Sequence, residues 1–178
     1  MNTHQKIVFT LGVVMVFTLM RLEVFVFAAD MSIDDPATLR GLQGFGIVVG
    51  DIAPEIERQG LTQAELRRDM ELKLRLSGIE VLSTEARSRL QGSPILYLYC
   101  LIQKGPMGFF HELVIQLREQ VHLLRKPDHT TYAVTWANPG IIGRSTKLSD
   151  VRAAANEVVD IFINAYLAAN PKSTKRTE

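Results

Sequence analysis

The side chains that could do chemistry are few, and their spacing is poor for it. Phe110-His111-Glu112-Leu113 opens like a zinc-protease motif, in which a second histidine one helical turn later shares the metal. That later position holds Ile115, and the alternation of apolar and polar residues around it reads as a strand. Neighbouring side chains on a strand point to opposite faces, so His111 and Glu112 cannot share one ion. His122 and His129 have no carboxylate or cysteine at ligand spacing. Cys100, the sole cysteine, lies among Leu98, Leu101 and Ile102. A nucleophilic thiolate needs an electropositive, partly exposed setting, so this one reads as a buried, inert thiol.

The remaining motifs fare no better. Gly41, Gly44 and Gly46 precede or begin a β-rich run, whereas a dinucleotide fingerprint follows a strand and opens a helix. No Gly-x-Ser-x-Gly elbow occurs. Asp69 and Glu71 alternate with Arg67, Arg68, Lys73 and Arg75, the pattern of a solvated ion-pair face rather than of an acid–base couple. The sequence therefore assigns no catalytic residue, no metal ligand and no cofactor site.

Compartment is more legible. Lys6 is followed by Ile7 to Met20, an unbroken apolar run that fits the core of a secretion signal and is short for a membrane span. Val26 and Ala28 supply small residues where a signal peptidase reads, which predicts cleavage after Ala28 or Ala29. No cysteine lies nearby, so lipoprotein processing is not expected. The alternative is an uncleaved anchor, which would set Arg21 inside the bilayer at a cost of about 2.5–3.5 kcal/mol. The expected organisation is a signal over residues 1–28, one domain over 30–170, and a polar tail over 171–178. Loss of Lys6, Arg21 and Glu23 balances acidic against basic residues in the remainder. Without a basic field, nucleic-acid binding is not expected.

The expected fold is α+β: a two-layer mixed sheet with a long antiparallel meander over 95–137, packed by helices at 62–77 and 149–169. Phe45 to Ile52 is a first strand. Thr62-Gln63-Ala64-Glu65 is a capping box, Leu66, Met70 and Leu74 form one apolar stripe, and Gly78 ends the helix. Ile79 to Leu82 is a short second strand, and residues 83–92 form a polar connection. Ile95 to Gln103 is apolar in both phases, Lys104 to Gly108 is a turn, and Phe109 to Arg125 alternates, with Leu113, Ile115, Leu117, Val121 and Leu123 inward. A turn over Pro127–Thr130 would pair Lys126 with Thr131 and set Val121 opposite Trp136. Ile141-Ile142-Gly143 reads as a turn, and Ser149 as the N-cap of the last helix.

The length of the 109–125 run carries its own constraint. At about 3.4 Å per residue it would reach about 58 Å, against about 38 Å across for a compact domain of about 150 residues. The strand must bend, bulge or project as a ribbon.

Leu96, Leu98 and Ile102, with Phe110 and Val114, read as a second apolar patch opposite the main core, covered by a helix or offered to a partner. Three segments, Phe45 to Ile52 (FGIVVGDI), Leu61 to Ser83 (LTQAELRRDMELKLRLSGIEVLS) and Ile95 to Gln103 (ILYLYCLIQ), give the chain a likeness. In their order it resembles the small α/β domains of bacterial envelope-assembly proteins, such as the N-terminal domain of the Tol translocation protein and the penicillin-binding-protein activator lipoproteins. It departs from them in having no lipobox cysteine, no second domain and an unusually long segment at 109–125. The resemblance implies action by protein–protein contact and carries over no catalytic residue. The expectation is an exported, non-enzymatic, periplasmic protein of the envelope, contacting a protein partner or itself and touching membrane only through the signal. The alternatives are a small-molecule or lipid-binding protein using the concave face of the sheet, with a cavity lined by Tyr97, Tyr99 and Trp136, and a hydrolase assembled from distant residues.

Overall fold

The computed structural model describes residues 34–171; the expected signal segment and the tail beyond Pro171 lie outside the described residues. A 3-10 turn at Pro36–Leu39 leads into β1 (Gly46–Val49), α1 (Pro54–Glu57), α2 (Gln63–Leu76) and α3 (Thr84–Arg87). Then follow β2 (Ile95–Gly105), β3 (Gly108–Leu123), β4 (Lys126–Ala137), β5 (Ile141–Ser145) and α4 (Leu148–Ala169). The sheet is five-stranded and mixed: β1 runs parallel to β2, and β2, β3 and β4 form an antiparallel meander. The fold is α+β, and among the described residues no helix is long and apolar enough to cross a membrane.

Local chemistry explains the elements. Thr62 accepts from the Glu65 N–H at 3.2 Å while the Glu65 carboxylate accepts from the Thr62 N–H at 3.0 Å, so two orphan groups of α2 are satisfied together. At the other end Gly78 takes φ +75° and the Ile79 N–H donates to Leu74 O at 3.0 Å, the Schellman closure that a left-handed residue permits. Leu66, Met70 and Leu74 are buried as one stripe. Arg67 and Gln63 donate to Ile47 O (3.0 Å) and Val49 O (2.7 Å), on the side of β1 away from β2. Those contacts occupy backbone acceptors that an edge strand otherwise offers to any passing strand.

The core lies between one face of the sheet and the two long helices. Leu96 and Leu98 of β2, Leu113, Ile115 and Leu117 of β3, and Val151, Val158 and Phe162 of α4 are all buried there. Phe162 sits edge-on to both Phe45 and Trp136, with ring centroids 5.3 Å apart in each pair, an arrangement that suits the ring quadrupoles.

The long strand resolves its length with two of the expected devices. A register shift separates Leu117 from Arg118, a second separates His122 from Leu123, and the hairpin beyond is exposed on one face (Gln120, His122, Tyr132) and half-buried on the other (Glu119, Val121, Leu123). These shifts correct the expected pairing. The turn is Leu124-Arg125, closed by Leu123 opposite Lys126, and the extra residues 127–129 are taken up beside His122, whose Nδ1 lies 2.8 Å from Pro127 O. Trp136 therefore faces Leu117 and not Val121.

Five elements also differ from expectation. Phe45 to Ile52 contributes only Gly46–Val49 as strand, and Ile79 to Leu82 is reduced to one parallel bridge between Phe45 and Val81. The polar connection contains α3, capped by the Ser83 hydroxyl, which accepts from the Ala86 N–H at 3.2 Å. Helix α4 starts after Lys147, so Ser149 lies inside its first turn instead of capping it. Ile141 to Ser145 is not a turn but strand β5, which pairs with Phe109 to Leu113 end-to-end with β4 along the same edge of β3. Gly140 makes that step possible. It has φ +86°, and a Cβ there would stand 2.7 Å from Leu113 O, so only glycine lets the chain hug β3 between the two strands.

Candidate functional site

The sheet has a second face, and its composition is where function has room. Gly105 pairs with Gly108 across Pro106-Met107, which sets even-numbered residues of β2 opposite odd-numbered residues of β3. Leu96 faces Leu117, Leu98 faces Ile115 and Ile102 faces His111. The expected patch must be corrected accordingly. Leu96, Leu98 and Ile102 are core, covered by helices, while Phe110 and Val114 lie on the opposite, open face. The error came from reading Lys104 to Gly108 as one longer turn. That reading adds three residues to the loop, an odd number, and so inverts the phase of one strand against the other.

Phe110 and Val114 share the open face with Tyr97, Tyr99 and Leu101 of β2, Val48 of β1 and Ile142 of β5. Tyr99, Phe110 and Ile142 are 36%, 37% and 66% exposed, and Met107 projects from the adjoining turn. From Ile95 to Gly105 the face is about 37 Å long at about 3.4 Å per residue, and four strands spaced about 4.8 Å make it about 19 Å wide. Because β1 spans only Gly46–Val49, the footprint is smaller than about 700 Å², the product of these figures, and it includes the polar Gln103, Glu112 and Gln116; one partner contributes roughly 800 Å² to a standard interface.

Three arginines punctuate this surface. The Arg118 guanidinium carbon lies 3.7 Å from the Tyr97 ring centre, and Nε and Nη2 donate to Gln116 Oε1 at 3.2 and 2.9 Å. Tyr97 in turn reclines on Gly50, where a Cβ would meet its hydroxyl at 2.8 Å. Arg87, on α3, lies across Gly46 and donates from Nη1 to Ser93 O (2.8 Å), Ser93 Oγ (2.9 Å) and the Tyr132 hydroxyl (3.2 Å). Hydrogen bonds from Ser93 and Arg87 hold the Tyr132 hydroxyl below its ordinary pKa. Arg144, exposed on β5, pairs with Phe110 at the far end.

The groups singled out for chemistry are scattered. His111 and Glu112 point to opposite faces; His111 is 3% exposed, lies over Gly143 and leaves Nδ1 without a partner. Burial pushes its pKa down, with a backbone hydrogen bond at Phe109 acting against the shift. Cys100 is buried in the core, and that burial pushes its thiol up to about 12, which keeps it protonated. Asp69 is paired with Arg152 of α4, whose hydrogen bond lowers the carboxylate's pKa. Among the described residues, no three His, Cys, Asp or Glu side chains gather closely enough to hold a metal ion. Tyr97 and Tyr99 are on the open face and Trp136 is in the core, so the three cannot line one cavity.

Sequence reasoning named Tyr97 and Tyr99 but set them with Trp136 around a cavity, and missed that they share the open face with Phe110 and Val114. Tyr97 and Tyr99 alternate with Leu96, Leu98 and Cys100, a period-two signal hidden because both phases are apolar. Comparison with protein-family models, with curated proteins and with solved structures finds no match to this chain.

Proposed function

We propose that this chain is exported to the bacterial envelope and works there without catalysis, by presenting the open face of its sheet to a protein partner. One observation carries the reading. Of the ten large apolar side chains left in water among the described residues, six lie on or beside the open face, Val48, Tyr99, Met107, Phe110, Tyr132 and Ile142, while Leu72, Leu76, Leu124 and Ile161 are spread over helices and the hairpin turn. Scattered apolar residues need no explanation, but apolar side chains gathered on one face cost free energy at about 25 cal/mol per Å² of apolar area while they stay wet. Its make-up, tyrosine, phenylalanine and arginine, is the chemistry of interface hot spots. The apolar run Ile7 to Met20 supports export, and the small residues Val26 and Ala28 support cleavage.

The test replaces Tyr99 and Phe110 with serine in the full chain and follows the protein through mild detergent extraction of envelopes. The account expects a folded protein that migrates as a smaller species than the native one. Ile161→Ser, on exposed α4 surface, should change nothing. Equal migration of native and double-variant protein would contradict the reading.

A further inference from the structure

The charges on the open face say what kind of partner fits it. Among the described residues the ion pairs all involve helix residues: Lys73 with Asp160, Arg75 with Glu71, and Arg152 with Asp69 and Glu65. Arg87, Arg118 and Arg144 have no carboxylate within ion-pair distance among those residues; the strands of the face bear one acid, Glu112, against Arg118 and Arg144, and α3 carries Glu85 beside Arg87. Arg118 and Arg144 stand at opposite ends of the β3 ladder, about 27 Å apart at about 3.4 Å per residue. Between them lie Tyr99, Leu101 and Ile142. Glu112 stands in the same row, between Leu101 and Ile142, so the pattern is a mainly apolar centre holding one carboxylate, with cationic ends.

Resting on the reading above, we infer that the occupant of this face is an acidic protein surface. It would set carboxylates against Arg118 and Arg144 and aliphatic side chains over Tyr99, Leu101 and Ile142. Guanidinium groups favour carboxylates because two N–H donors match two oxygens, and Arg118 is already oriented by its stack on Tyr97 and its bonds to Gln116. A second copy of the chain fits worse. With strands aligned, a two-fold axis along the strands brings Arg118 against Arg118, and one across them brings Arg118 against Arg144. Either places like charges together where a dimer needs complementarity.

The experiment titrates protein purified from the full chain with three labelled short peptides, in which valine alternates with glutamate, with lysine or with serine. The glutamate peptide should bind, more tightly as salt is lowered, and the lysine peptide should not. Arg144→Glu and the milder Arg118→Gln should each weaken binding about tenfold or more, while Arg58→Glu, on exposed surface next to α1, should leave it unchanged. Should Tyr99→Ser weaken binding while both arginine variants bind as before, the face is a docking surface but not for acidic chains. If Tyr99→Ser also has no effect, the docking face itself is wrong. Tighter binding to single-stranded oligonucleotide or to phosphatidylglycerol vesicles than to the glutamate peptide would overturn the assignment to protein.

Discussion

The guanidinium of Arg118 lies 3.7 Å from the ring centre of Tyr97, on the face of the sheet that neither long helix covers. A cation held over an aromatic ring by side-chain hydrogen bonds keeps its charge and gives up little mobility when a partner arrives. The pair therefore marks the open face as a prepared surface, while the helix-covered face holds the fold together.

The two faces make opposite predictions for adjacent residues. Leu98→Ser should cost about 3 kcal/mol or more, because it leaves a cavity and an unpaired hydroxyl in the core. Tyr99→Ser should stay within about 1 kcal/mol. Urea unfolding of both variants measures the difference, and equal costs would mean that the phase of β2 is misassigned.

Gly140 is the second stability test. Gly140→Ala should destabilise by about 1–3 kcal/mol, through a left-handed backbone and a clash with Leu113 O. The loss should appear first as faster amide exchange in β5 and in Phe109 to Leu113. A neutral substitution would show that β5 does not follow β4 along the same edge.

His111 sets a pH dependence. Its folded-state pKa is depressed by burial below the ordinary 6.5, so the unfolded chain binds the proton more readily. Its contribution to stability is therefore present above about pH 6.5 and is lost as pH falls through the folded value. Glu65, Glu85 and Asp69 are also depressed, but from ordinary values of 4.5, 4.5 and 3.8, so they act at lower pH. Thermal unfolding between about pH 7 and about pH 5 should show a decline that His111→Leu removes. An unchanged decline in the variant would assign it to other groups.

The architecture was largely legible in the sequence, because it rests on local signals. The capping box at Thr62 and Glu65, the glycine stop at Gly78 and the stripe of Leu66, Met70 and Leu74 all act within one helix. The alternation of β3 told its buried side from its open side, and its length required a bulge or a projecting arm. What escaped depends on partners distant in sequence. Ile141 to Ser145 is too short and glycine-broken to read as a strand, and becomes one only by pairing with Phe109 to Leu113. The patch was misdrawn because β2 is apolar in both phases, so only the tightness of the Pro106-Met107 turn decides which phase meets the helices.

Export has a direct check. Protein recovered from a periplasmic extract should begin at Ala29 or Asp30 on N-terminal sequencing. An intact Met1 on cytosolic protein would contradict both the signal and the envelope setting.

The most direct test of the open face is site-specific photo-crosslinking in living cells. A photoreactive phenylalanine analogue is placed in turn at Tyr99, Phe110 and Ile142 on the face, and at Leu72 and Ile161 on exposed helix surface. The account predicts discrete protein adducts from the first three positions and none from the last two. Adducts from Leu72 or Ile161 alone, or from all five positions alike, would contradict it.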